Sequence, residues 1–373
     1  MDLPEKERTM PIGKRIENMD KNMRVRKVMA PSALMWISAM DRRLALRGLA
    51  WFKENRGRFC RLPLRAQGCV SSDVWALAQC PAGANVAFRS DAVAMAVRVT
   101  NTDASHMAHM AATGSNGVAL ECGVPGRMRP WAVAQPDLVS PSFERQLFND
   151  VPEKMREFRL YLPLYKGLEK LELGFSHGSR ILPPAPPALR KPVVFYGTSI
   201  TQGGCAGTAA NDYVSCVGRL LNIETINLGF SGNGKYEPEM AKLIGEIDAA
   251  LFVLDYANIA GNLLRRRLPP FASILRARHP RTPILLITPT CYSAYDWSSG
   301  NRTHLDGVRD VMLMYYVRCR PKDRNLHLVD GYGLIPFGAD SAHVDGGHPN
   351  DHGFRLIADR LAPLIEQILM RDS

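Results

Sequence analysis

Five short apolar runs in the second half of the chain, each followed by a stretch of helical period, constrain the fold more than any other feature. The runs are 193–196, 225–228, 250–254, 284–288 and 326–329, and the helical patterns fall near 211–222, 237–247, 261–279, 303–319 and 350–369. Strands that are apolar throughout are covered on both faces, and strands alternating with helices pair in parallel through helical crossovers. The expectation is a parallel five-stranded α/β sheet with helices on both faces. In the last helix Phe354, Ile357, Leu361, Leu364, Ile365 and Ile368 recur at steps of three and four, which lays one apolar stripe on that sheet.

The first half reads differently. A chain of 373 residues is long enough for two domains. From Met35 to about Phe175, short strand-like runs (69–74, 86–88, 92–99, 117–122, 158–164 and 171–175) separated by turns predict a β-sandwich of the jelly-roll kind, with 42–55 open to a helical reading. Residues 1–30 are polar and charged with no sustained apolar period, and read as a disordered basic arm. The domains are then 31–180 for the sandwich and 191–373 for the α/β unit. Between them 181–190 is a linker whose Pro183, Pro184, Pro186 and Pro187 enforce an extended course.

The net charge of +11 raises the question of nucleic acid, but apart from Arg265, Arg266 and Arg267 the basic residues are scattered among acids, so no nucleic-acid partner is expected. Eight cysteines without CxxC or Cys/His spacing indicate neither a zinc site nor a disulfide framework, and with no signal-like leader the expected location is the cytoplasm. No run approaches the ~20 apolar residues of a membrane span.

The chemistry-bearing residues lie at the ends of the predicted strands, where parallel α/β sheets open their crevice. Gly197-Thr198-Ser199-Ile200 follows the first strand, and Ser199 is the candidate nucleophile. A serine hydroxyl needs a base oriented by a third group. Asp345 and His348, three apart on the glycine-rich loop before the last helix, can supply both, with His343 and His352 competing for the base. Donors for an oxyanion are offered by Gly232, in the loop after the second strand, and by Asn258 after the third.

This ordered set resembles the SGNH (GDSL-like) hydrolase family, through Gly-Thr-Ser-Ile at 197–200, Gly232 in Gly-Phe-Ser-Gly-Asn-Gly, Asn258, and Asp-Gly-Gly-His-Pro at 345–349. The resemblance implies a flavodoxin-like sheet, Ser199 as nucleophile, an oxyanion hole of the Ser199 and Gly232 N–H groups with Asn258, and an Asp345–His348 pair completing the triad. Two blocks depart from the family pattern: Gly-Thr-Ser replaces Gly-Asp-Ser, and Asp255-Tyr256-Ala257-Asn258 replaces Gly-x-Asn-Asp. The variant blocks, with Arg-Leu-Tyr-Leu-Pro-Leu-Tyr at 159–165, resemble the branch carrying an N-terminal β-sandwich, which is similar to carbohydrate acetyl esterases.

The expected function is hydrolysis of a small acyl ester, an acetyl ester on a carbohydrate or glycoside, through an acyl-enzyme and without a metal or cofactor. A lipid esterase or thioesterase with the same triad, and a silent carbohydrate-binding protein, are the other readings. Trp297 is placed to line the substrate pocket; Trp36, Trp51, Trp75 and Trp131 could stack on sugar. Arg302 and Arg309 could meet an anionic substrate. The sandwich is open to service as a wall of the cleft or as the interface of a homo-oligomer.

Overall fold

The structure, a computed structural model, describes residues 12–20, 24–25, 27–28, 34–290, 295, 298–336 and 338–371. The sandwich contains β1 (Leu34–Ser38), β2 (Ala45–Arg47), β3 (Asn85–Ser90), β4 (Met95–Asn101), β5 (Val118–Val124), β6 (Arg127–Ala134), β7 (Ser142–Phe148), β8 (Arg156–Tyr161), β9 (Leu168–Ser176) and β10 (Ile181–Leu182). One antiparallel sheet runs β1-β9-β4-β7; the other runs β10-β3-β8-β5-β6, with β2 also on β3. Phe88, Val97, Val99, Leu120, Phe158, Leu160, Leu173 and Phe175 fill the space between them.

The sheet containing β3, β5 and β8 is covered on its other face too. Ala119 and Tyr161, which alternate with the inward Leu120 and Leu160, pack against Ala209 and Ala210 of the α/β unit. From the same face the buried Glu121 pairs with the buried Arg219. Double coverage explains why these strands read as apolar runs.

Several expectations are corrected. Residues 69–74, expected as a strand, lead instead into a helix at Ser72–Ala78, capped by Ser71, whose side chain accepts from Val74 N, and continued by the helix formers Ala76, Leu77 and Ala78. The segment 42–55 holds β2 and turns, not a helix, because Gly48 adopts φ +86°. In the arm expected to be disordered, Ile12–Met19 is helical, as its Lys, Arg, Glu and Met residues permit. Ile181 and Leu182, placed in the extended linker, form β10 and pair with Ser90 and Arg89 of the sandwich, and Ala185 N donates to Glu157.

The α/β unit is built on β11 (Val193–Gly197), β12 (Thr225–Gly229), β13 (Leu251–Leu254), β14 (Ile284–Ile287) and β15 (Leu326–Val329), all parallel, in the order β12-β11-β13-β14-β15. This is the flavodoxin-like order. Helix Asp351–Arg371 packs beside Tyr213–Leu221, while Pro238–Ile244, Gly261–Arg278 and Ser299–Cys319 pack in succession. The order reverses at β11, so a crevice opens beyond the carboxyl ends of β11 and β13. No helix among the described residues is long and apolar enough to cross a membrane.

Candidate active site

Ser199 begins a one-turn helix, Ser199–Gln202, directly after β11. The turn closes at Gly203, which takes φ +106°, and the Gly203 and Gly204 N–H groups donate to the Ser199 carbonyl at 3.0 and 2.7 Å. Beneath it Thr201 Oγ1 donates to Asp255 Oδ2 at 2.7 Å, Tyr213 Oη donates to the same oxygen at 2.9 Å, and Tyr256 N donates to Oδ1. Burial pushes the Asp255 carboxyl up to about 6, against the pull of these donors. Gly197 permits the close approach: a Cβ there would lie 2.1 Å from Thr201 Oγ1.

The structure brings His348 and Asp345 onto this serine. His348 Nδ1 lies 2.7 Å from Asp345 Oδ2, and Nε2 lies 2.9 Å from Ser199 Oγ. With the Nδ1 proton donated to the carboxylate, Nε2 holds a lone pair toward the serine hydroxyl. Asp345 Oδ1 accepts from the backbone N–H of Gly347 and of His348. Partial burial works against the charge, but these donors prevail and hold the Asp345 carboxyl down at about 2. The two competing histidines lie elsewhere: His343 forms a backbone bridge with Pro349, and His352 is exposed in the first turn of the last helix.

On either side of β11 stand the two loops expected to offer oxyanion donors. After β12, Gly232 takes φ +67°, and the preceding Ser231 N donates to Gln202 Oε1 at 3.0 Å. Asn227 Nδ2 donates to Thr201 O at 2.7 Å, which binds this strand end to the serine turn. After β13, the Asn258 carbonyl Oδ1 lies 3.0 Å from His304 Nε2. His304 donates there with its proton on Nε2, which leaves the Asn258 Nδ2 end as the one able to donate to a substrate.

The sandwich reaches the same place. Tyr165 Oη donates to Ser199 O at 3.3 Å, Gln202 Nε2 donates to Leu164 O at 3.0 Å, and the His109 ring lies 6.1 Å from that of His348. Arg61, fully buried, donates to Cys80 O and Leu77 O in its own domain and to Asn227 O and Gly229 O at the end of β12. The sandwich is therefore a wall of the cleft. Thr201, Gln202 and His304 were not singled out in the sequence, because each meets a partner supplied by another segment, and Asp255 stood in the block after the third strand with its bonds to Thr201 and Tyr213 out of view.

Other sequence candidates are employed differently. Trp297 lies outside the described residues. Trp51 Nε1 donates to Glu246 across the domain interface, Trp131 stacks on Phe148 and Phe158 inside the sandwich, and Trp75 packs on the α/β core. Trp36 lies under the Arg98 guanidinium. Arg309 is paired with Asp330, and Arg302 lies over the Tyr295 ring.

The profile of the GDSL-like lipase/acylhydrolase family matches residues 190–366, and that of the GxDLY N-terminal unit of SGNH-type esterases matches 34–181. The chain is an SGNH (GDSL-like) hydrolase. Of the solved structures, a Bacteroides ovatus protein described as a GDSL-like lipase is 27% identical with a TM-score of 0.83, over 90% of this chain and 98% of that one. A salicylyl-acyltransferase of a tetracycline biosynthetic pathway is 19% identical with a TM-score of 0.74, over 90% and 98%. A family two carbohydrate esterase from Clostridium thermocellum, solved with cellohexaose, is 16% identical with a TM-score of 0.54, over 77% and 93%. These last two share the fold. No curated protein matches the chain in sequence. As an SGNH hydrolase with this N-terminal unit, the protein is an ester hydrolase.

Proposed function

We propose that this SGNH hydrolase cleaves a small acyl ester, an acetyl group carried by a carbohydrate or glycoside, through a Ser199 acyl-enzyme. The observation that carries the reading is the hydrogen-bonded line from Ser199 Oγ through His348 to Asp345. Ser199 Oγ attacks the ester carbonyl carbon as its proton passes to His348 Nε2, and Asp345 stabilises the imidazolium. The carbonyl electrons move onto oxygen, where the Ser199 N–H, the Gly232 N–H and Asn258 Nδ2 donate to it. On collapse the C–O bond to the alcohol breaks and the alcohol takes the proton from His348. Water, deprotonated by the same histidine, then releases the acid and restores Ser199. The solved carbohydrate esterase with its bound oligosaccharide, and the sandwich wall beside the serine, support a carbohydrate alcohol.

The test compares nitrophenyl acetate, butyrate and octanoate with the wild type and Ser199→Ala. We expect metal-independent hydrolysis, fastest on acetate and abolished by the substitution. Preference for octanoate would replace the carbohydrate reading with a lipid one, and full activity in Ser199→Ala would remove Ser199 as nucleophile. Because an acyltransferase shares the fold, the same assay run with a sugar acceptor also measures transfer in place of hydrolysis.

A further inference from the structure

We propose that His109, Cys205 and Asp345 form an inhibitory binding site for a thiophilic divalent cation such as zinc, set against the base of the triad. One imidazole nitrogen, the Cys205 Sγ and a carboxylate oxygen all lie within 4.8 Å of one another. A soft thiolate with imidazole and carboxylate is a zinc donor set rather than a magnesium or calcium one, and three protein ligands leave the fourth tetrahedral position to water. The sequence shows no Cys/His spacing because each ligand comes from a different segment: the loop after β4, the turn after the nucleophile helix, and the base loop.

Two of these positions are fixed by features otherwise without a role. Cys205 is buried and held at φ +78°, a left-handed conformation uncommon for a residue other than glycine, directly after the Gly203-Gly204 turn that binds Ser199 O. His109 is brought from the sandwich against His348. The described hydrogen bonds to Asp345 use three lone-pair positions, from His348 Nδ1, His348 N and Gly347 N, and a carboxylate offers about four. A cation can therefore take the remaining one while the triad hydrogen bonds persist. Cys205 binds as the thiolate and releases its proton to solvent. This effect rests on the triad reading above: a dication on Asp345 cancels the negative charge that stabilises the His348 imidazolium, so kcat falls while KM changes little.

The experiment titrates the purified full chain with zinc and, separately, cadmium. Zinc should inhibit nitrophenyl acetate hydrolysis through kcat, reversibly by chelator, while magnesium does not. Cadmium should give the ultraviolet thiolate charge-transfer band. In Cys205→Ser and in His109→Ala the zinc concentration for half inhibition should rise by roughly 10–100-fold relative to each variant's own metal-free rate, and Cys205→Ser should lose the band. Zinc inhibiting either variant as strongly as the wild type, or a band that survives Cys205→Ser, overturns the site. Ser199→Ala separates the two readings, because it should keep the cadmium band whether or not Ser199 is the nucleophile. Absence of the band in a folded Ser199→Ala protein and in the wild type also overturns the site.

Discussion

At the residue scale, the hydrogen-bonded line through His348 distinguishes it from the neighbouring histidines. His348→Ala should lower kcat by roughly 10⁴-fold or more, whereas His343→Ala and His352→Ala should leave steady-state hydrolysis of nitrophenyl acetate nearly unchanged. A large loss in either of the latter would redraw the base. Asn258 is a second case. Removing one oxyanion donor costs about 3 kcal/mol, or roughly 10²-fold in kcat. On the proposed oxyanion role of Asn258, His304 orients that amide, so His304→Ala should lose a smaller part of kcat with KM preserved, and His304→Gln, which keeps a donor, should recover it. If Gln fails where Ala fails, the hydrogen bond at 3.0 Å is not what His304 contributes. Ser199, Asp345 and His348 were legible because each stands in a short motif, the first directly after a predicted strand and the other two on the glycine-rich loop before the last helix. His304 was not, since its partner is 46 residues away in sequence.

At the scale of elements, Asp255 couples the end of β13 to the Ser199 turn and to helix Tyr213–Leu221. Its folded pKa of about 6 stands above the model-compound value of 3.8, so the native state holds a proton that the unfolded chain releases between these values. Native stability from this group is therefore greatest in acid and falls as pH rises through that window, by about 3 kcal/mol at ~1.4 kcal/mol per unit, then levels off. Asp255→Asn removes the titration. Urea unfolding of both proteins across the window should show the variant gaining on the wild type as pH rises; a constant difference would mean that the carboxyl does not titrate there. Asp345 behaves oppositely. Its folded value of about 2 keeps it ionised, and its stabilising contribution is lost only as pH falls through that value.

The five strands of the α/β sheet were legible as apolar runs because burial on both faces erases alternation. Five sandwich strands escaped notice: β2 and β10 are only three and two residues long, and β1, β6 and β7 were missed for the complementary reason. β1 and β7 are the edges of one sheet and β6 the free edge of the other, and β6 and β7 carry Arg127, Arg129, Pro130, Glu144 and Arg145, which an interior strand would exclude.

At the scale of the whole molecule, the two domains are joined by buried polar contacts rather than by a flexible tether. Glu121 and Arg219 meet across the interface with both side chains out of solvent. Glu121→Ala or Arg219→Ala alone should destabilise by about 3–5 kcal/mol, because each strands a buried charge, while replacing both with apolar residues of similar volume should cost far less. Chemical unfolding of the two singles and the double gives the coupling directly; additive losses would mean that the pair does not interact. Arg61 presses the same point nearer the chemistry: no other side chain replaces its planar fork on four carbonyls, so Arg61→Lys should lower both stability and kcat.

The face of the sandwich formed by Ala119, Glu121 and Tyr161 carries a consequence for exchanging the two halves. Here that surface is already spent on the other half, and the Ser199 turn accepts a hydrogen bond from Tyr165 and donates one to Leu164 of the sandwich. A chimera joining this catalytic half to a foreign sandwich would therefore inherit a gap where Arg61 and Tyr165 now stand.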